Sequence, residues 1–219
     1  MMALPQQITA ALVRFSSESR LYQLKIGDEG EGAVGDELLV EAFYAEDAVQ
    51  EVGARDIIVL SLSAFVDLRA LLGRPATLTV TQADGSRCGF GGDIAEAAML
   101  GSEGGLARYR LRLRPWLWRL GQCRNSRVWQ DKSVIEIVDA IFANYLPLAR
   151  WRWSDEAAPF MAAAGQRSYC CQYRESDLDF VRRLLTEEGL GWRFEPQDGG
   201  VCVVLFADSG QLSLSLIHI

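Results

Sequence analysis

A chain of 219 residues, 49% of them apolar, can bury roughly 70% of the surface it exposes when extended, so a core forms without disulfides or bound metal. The formal charge of −7, from 22 basic and 29 acidic side chains, argues against a general nucleic-acid binder, which carries a net basic footprint. No run approaches the ~20 apolar residues of a membrane helix, and the first residues lack the basic start and apolar middle of a secretion signal.

Residues 1–19 read as a loosely patterned leader. In 20–26, Tyr22, Leu24 and Ile26 alternate with Gln23 and Lys25, which predicts a strand with one apolar face. A glycine-rich acidic turn follows, and residues 30–35, GEGAVG, spell the GxGxxG of a dinucleotide-binding loop. A helix over 37–52 would complete a cofactor unit there and make the chain a nucleotide-cofactor-binding oxidoreductase. Against that reading, Asp28, Glu29, Glu31, Asp36 and Glu37 crowd the place where a pyrophosphate would sit at a helix N-terminus.

Residues 57–63 form a third predicted strand, and 65–72 a helical turn ended by Gly73. Strands at 76–81 and 87–95 flank Ala83-Asp84-Gly85-Ser86, a hairpin turn signal. Gly89, Gly91 and Gly92 allow the bend a sheet needs to curl into a barrel. After a glycine-rich loop at 101–105, residues 107–113 alternate, with Tyr109, Leu111 and Leu113 inward and Arg108, Arg110, Arg112 and Arg114 outward. That arginine row can be a solvated strand face, a subunit contact in which a partner's carboxylates meet the guanidiniums, or a phosphate track. Residues 115–118, PWLW, close the first sheet, with the tryptophans as packing groups rather than a sugar platform.

Ser133 and Glu136 form a capping box that starts a helix. Val134, Ile137, Val138, Ile141 and Tyr145 share its buried stripe, and Pro147 stops it. Residues 151–165 read as a less regular insertion. The run 167–206 is then a strand, a capped helix and a hairpin. Ser176 is the N-cap, with Glu175, Asp177 and Asp179 placing negative charge at the positive end of the dipole. Leu178, Val181, Leu184 and Leu185 make the apolar stripe, and Asp179 to Arg183 and Arg183 to Glu187 are i,i+4 ion pairs. Gly189 ends the helix, Leu190, Trp192 and Phe194 share one strand face, 196–200 turn, and 201–207 return. The sum is an α+β chain, mainly antiparallel β, with strands spaced as in a barrel.

Reactive groups are scarce. Cys88, Cys123, Cys170, Cys171 and Cys202 are odd in number and irregularly spaced, as buried thiols of a reducing compartment are; the pair at 170 and 171 can also be read as a redox site, although neighbours in a strand face opposite ways. His218, the sole histidine, sits in the adapter-like end at 214–219, and with it discounted a hydrolase nucleophile lacks its usual base. No metal-ligand spacing and no phosphate loop of the Walker kind occurs. The carboxylates Glu175, Asp177, Asp179, Glu187 and Glu188 can be paired for glycoside cleavage, or can serve as caps and solvated charges. We therefore expect no catalytic, cofactor or metal residue, and no nucleic-acid or stable membrane partner.

Two blocks carry a family resemblance: LRLRPWLWRLGQCRNSRVWQDKSVIEIV at 111–138 and CCQYRESDLDFVRRLLTEEGLGWRFE at 170–195. In this order they resemble the VgrG family, the tip or spike proteins of type VI secretion systems, which are related to the baseplate hubs of contractile phage tails. The resemblance makes 38–44 a strand and implies barrel-like hub subdomains joined by a small helical one: 20–118 as the first barrel, 119–166 as the helical connection and 167–208 as the start of a second barrel. It implies a non-enzymatic structural part of a contractile injection machine, with the phage baseplate hub or late-control protein as the alternative. Implied partners are two further copies of itself, a hexameric inner-tube protein, and spike-tip cap and effector proteins. The implied location is the bacterial cytoplasm during assembly, followed by release through the machine without a signal peptide. Residues 209–219 read as a truncated end of an N-terminal fragment, with LSLIHI at 214–219 an adapter-derived tail or a short hydrophobic strand.

Overall fold

Period-two alternation and glycine placement determine most of what is seen. The computed structural model describes residues 21–27, 38–197 and 200–207. The leader at 1–19, the glycine motif at 30–35 and the tail at 209–219 lie outside the described residues. The chain divides into two units, one of Met1–Ala45, Arg55–Leu113 and Asp198–Gly200, the other of Glu46–Ala54, Arg114–Gln197 and Val201–Ile219.

In the first unit, β1 (Tyr22–Ile26), β2 (Leu39–Glu46), β3 (Ala54–Ser61), β4 (Pro75–Thr81), β5 (Arg87–Glu103) and β6 (Leu106–Arg114) make one sheet, and α1 (Leu68–Leu71) lies between β3 and β4. The strand order is β1-β4-β5-β6-β3-β2, and the β1–β4, β4–β5 and β3–β6 pairs are antiparallel. Leu24 and Ile26 face the core as predicted, opposite Leu78 and Ala76. Strand β5 takes the sheet around a corner. Its pairing with β4 runs to Asp93, and Ile94 and Ala97, three residues apart, both meet the core where a flat pleat would separate them. The sheet curls until Tyr22 and Phe43, on its two edge strands, meet edge to face at 5.2 Å.

Two expectations are corrected here. Residues 39–46 are strand β2, not the helix that the cofactor reading required, because buried Leu38 and Val40 and core-packed Phe43 hold that segment extended against the sheet. The surrounding pairs are antiparallel, so no βαβ unit forms there. Strand β5 also continues to Glu103, which reduces the loop at 101–105 to a turn at Gly104 and Gly105; their φ values of 62° and 83° are ones that side-chain-bearing residues avoid.

The second unit begins where Pro115, with no N–H for the ladder, ends the strand. Residues 115–118 do not close the sheet: Trp116–Gln122 is a 3₁₀ helix, and its Trp116, Leu117 and Leu120 join the second core. Next come β7 (Arg124–Trp129), α2 (Val134–Ala143), β8 (Trp151–Trp153), α3 (Ala157–Met161), β9 (Cys170–Ser176), α4 (Asp177–Glu187), β10 (Gly191–Gln197) and β11 (Gly200–Phe206). They form a two-stranded antiparallel ribbon, β7-β9, and a three-stranded sheet, β10-β11-β8. The core between helices and sheet includes Ile137, Phe180, Leu184, Val203 and Leu205, all fully buried.

Both helix starts match their sequence signals. Ser133 Oγ accepts from the Glu136 N–H at 3.2 Å, and Glu136 accepts from the Ser133 N–H at 2.9 Å, which closes the capping box. Ser176 Oγ accepts from the Asp179 N–H at 3.0 Å. At the other end of α4, Gly189 takes φ 70°, the Leu190 N–H reaches the Leu185 carbonyl at 2.8 Å and the Gly189 N–H reaches Thr186 at 3.2 Å, a Schellman closure. The buried stripe of α4 is Phe180, Val181, Leu184 and Leu185, with Leu178 only half-buried, so the helix is rotated slightly from the expected face. Asp179 closes on the Ser176 hydroxyl at 2.6 Å, and Arg183 pairs with Glu175 and Glu187.

The segment 151–165 is more regular than predicted. Strand β8 pairs parallel with β11, Trp151 opposite Val203 and Trp153 opposite Leu205. Asp139 of α2 accepts from both indole N–H groups, at 2.7 and 2.9 Å, and so ties this three-residue strand to the helix.

Candidate interaction surface

An alternating strand with one buried face must present the rest of its side chains to the other side, and β6 does so with arginines. Ala107, Tyr109, Leu111 and Leu113 are buried, while the arginine row points away from them. Register then supplies partners. Glu41 of β2 takes a forked pair of hydrogen bonds from Arg108, at 2.6 and 2.7 Å. Asp56 of β3, paired with Arg112 across the ladder, takes two more at 2.9 Å each. Glu96 of β5 lies 3.2 Å from Arg112 and 3.8 Å from Arg110.

The structure thus brings Arg108, Arg110 and Arg112 together on one sheet face, balanced by three carboxylates from β2, β3 and β5. The hydrogen bonds it donates to Glu41 hold Arg108 above its ordinary pKa, and those to Asp56 do the same for Arg112. Such a face offers little net positive potential to a polyanion, which weakens the phosphate-track reading. Arg114 falls in the second unit, where its guanidinium lies 5.9 Å from the ring centre of Trp118. Arg110 has the loosest of the three pairings and is 42% exposed at its side chain.

The carboxylates considered for glycoside cleavage are engaged elsewhere. Glu187 and Glu188 both bind Arg167, and Glu187 also binds Arg183. Arg167 first, and Arg183 after it, hold the Glu187 carboxyl below the usual range despite some burial. No group of His, Cys, Asp and Glu able to hold a metal occurs among the described residues, and the five cysteines are free thiols.

Asp177 is the polar feature that sequence reasoning missed. It was read as a charge for the helix dipole, but it is 1% exposed. Its carboxylate accepts from Gln172 at 2.7 Å, the Tyr145 hydroxyl at 2.8 Å, Asn125 at 2.9 Å and Arg127 at 3.3 Å, while its N–H donates to the Cys123 carbonyl at 3.0 Å. Burial, and then the bond to Asp177, push the Tyr145 phenol well above its ordinary pKa. Arg127 lies opposite Gln172 in the β7–β9 ladder, so the ribbon delivers its donors from both strands to one carboxylate. A signal was present: Asn125 and Arg127 share the inward parity of Trp129, polar residues where a core-facing strand should carry apolar ones.

Fold and surface together define a β-rich scaffold, curled in its first unit, whose charged groups are largely matched to one another. The chain belongs to the phage tail baseplate hub family, whose model matches residues 46–215. Among similar proteins is the type VI secretion system spike protein VgrG1a of Pseudomonas aeruginosa, 30% identical over 170 residues, which cover 78% of this chain and 26% of that protein. The E. coli c3393 protein, a component of the type VI secretion system, has the same fold at TM-score 0.71 and 23% identity, over 87% of this chain and 50% of that one. A 43 kDa prophage tail protein from Shewanella oneidensis matches at TM-score 0.59 and 13% identity, over 83% of this chain and 52% of its own. The chain spans about a quarter of the length of VgrG1a. The expected α+β class, mainly antiparallel, and the VgrG-family resemblance both hold.

Proposed function

We propose that this chain is hub material of a type VI secretion tip, a structural part of a contractile injection machine. In this reading three copies form a ring on a hexameric inner tube, and the ring carries a spike cap and effectors. The observation that carries it is the hub-family match over 46–215, on a fold shared with a secretion-system component. The demand on such a part is rigidity and complementary subunit faces, which two well-filled cores and matched surface charges supply. Within the ring, the arginine row is a subunit contact through Arg110, whose ion pair at 3.8 Å is the longest of the three on that face.

The protein is assembled in the cytoplasm and leaves the cell through the machine itself. A tagged form of the complete protein should therefore reach the medium from cells with a working sheath and stay inside cells that lack it. Equal release from both contradicts the proposal. Several curated relatives at 30% identity or more are type VI secretion system spike proteins, which favours the secretion tip over a phage baseplate.

A further inference from the structure

The β7–β9 ribbon keeps polar groups on its buried side and turns apolar ones to its open side. Asn125, Arg127 and Gln172 point inward to Asp177, so alternation sends Val128 and Tyr173 outward, 56% and 67% exposed. The register makes these two diagonal neighbours, with Val128 opposite Cys171 and Tyr173 opposite Ser126. An outward aromatic and aliphatic pair above an inward polar network is the reverse of a solvated ribbon, and it marks a face that another surface covers.

The backbone is bent to serve that face. Where the register slips, Arg174 bulges out of β9 at φ 53°, a left-handed conformation that residues with a Cβ avoid. Ser126 Oγ holds it there by accepting from the Arg174 N–H at 3.2 Å. The bulge sets the guanidinium over the Tyr173 ring, 5.3 Å from its centre. Arg124 lies opposite Ser176 at the same end of the ribbon, and among the described residues neither arginine forms an ion pair.

The first unit carries the complement. Strand β4 leaves β5 at Asp93, and the β5–β6 hairpin runs on to its turn at Gly104 and Gly105 with residues 99–105 all exposed. Met99 and Leu100 are the apolar groups of this tip. Its Glu103 forms no ion pair among the described residues; Arg108, the guanidinium whose charge reaches it, is taken by Glu41.

We propose that the β5–β6 hairpin tip of one copy of this chain seats on the β7–β9 ribbon of a second copy, Met99 and Leu100 against Tyr173 and Val128, and Glu103 against Arg124 and Arg174. Each charge in this match lacks an ion pair inside its own chain, and a tyrosine beside an arginine is the composition of an interface hot spot. A projecting tip and a receiving face at different places on one chain make a head-to-tail contact, which closes into a ring when the rotation permits. The ring rests on the hub reading; the contact is tested on its own.

In the complete protein, Ser102→Cys adds a thiol to the tip and removes none of the contacting groups, and the sample is mildly oxidised with diamide. A disulfide from position 102 to the native Cys171, which shares the outward face with Val128, is expected to join two chains. It is read as a doubled mass on a non-reducing gel, assigned by peptide mapping, and lost when Cys171→Ser is added. Separately, Glu103→Arg is expected to raise the dissociation constant of the assembly about tenfold or more, and adding Arg174→Glu is expected to recover most of that loss. No 102–171 link, a link confined to single chains, undiminished affinity in Glu103→Arg, or no recovery in the double variant overturns this contact and leaves the hub reading standing. A complete protein that stays a single copy overturns both.

Discussion

The carboxylate of Asp177 receives four side-chain hydrogen bonds, from both strands of the β7–β9 ribbon and from Tyr145 just past the end of α2. Replacing it with alanine strands all four donors at once, around a carboxylate that is itself buried while Asn125, Arg127 and Tyr145 are half-buried. Removing one partner of a buried charged network costs about 3–5 kcal/mol, so Asp177→Ala should lower the unfolding free energy in urea by about that amount. Tyr145→Phe, which removes one neutral donor, should cost about 1 kcal/mol. A loss below about 1 kcal/mol for Asp177→Ala would mean that the node is not a unit. The sequence placed Asp177 at the head of a helix correctly and misjudged its burial, because acids in a first helical turn usually face solvent. Its surroundings depend on Arg127 lying opposite Gln172, a register between segments over forty residues apart that no local pattern encodes.

Elements with their own punctuation were legible before any coordinates. Ser133, Ser176, Gly85 and Gly189 each act where their chemistry predicts, since a cap or a positive φ is decided within a few residues. Strand β8 was not legible, because three residues carry no period, and what holds them is parallel pairing with β11 and two indoles bound to Asp139. The 3₁₀ helix at Trp116–Gln122 was hidden by its tryptophans, which suit a strand as well as a core-facing turn.

The capping box of α2 gives a pH test. Lys132, and after it the N–H and hydroxyl of Ser133, hold the Glu136 carboxyl down to about 2. A carboxyl lowered by folding contributes fully above its ordinary value near 4.3, and the contribution fades as pH falls toward the folded value. The difference in Tm between the wild-type chain and Glu136→Gln should stay constant from about pH 7 to 5 and shrink between about 4.5 and 2. A difference that persists unchanged at pH 2 would show that the ionised carboxylate is not what matters there.

At the scale of the molecule, fold class and family were legible by different routes. The α+β, mainly antiparallel class follows from period-two segments and glycine turns, which are physical signals in the chain itself. The proposed hub role leaves no such mark, since a part that works by shape and repetition needs buried strands and matched faces rather than a nucleophile or a metal. It was visible only through the blocks at 111–138 and 170–195, and both fall inside the region matched by the hub family. That same logic makes assembly the property that matters most. The complete protein, weighed by light scattering over a range of concentrations, should have the mass of three copies. A single-copy mass across the whole range would contradict the account.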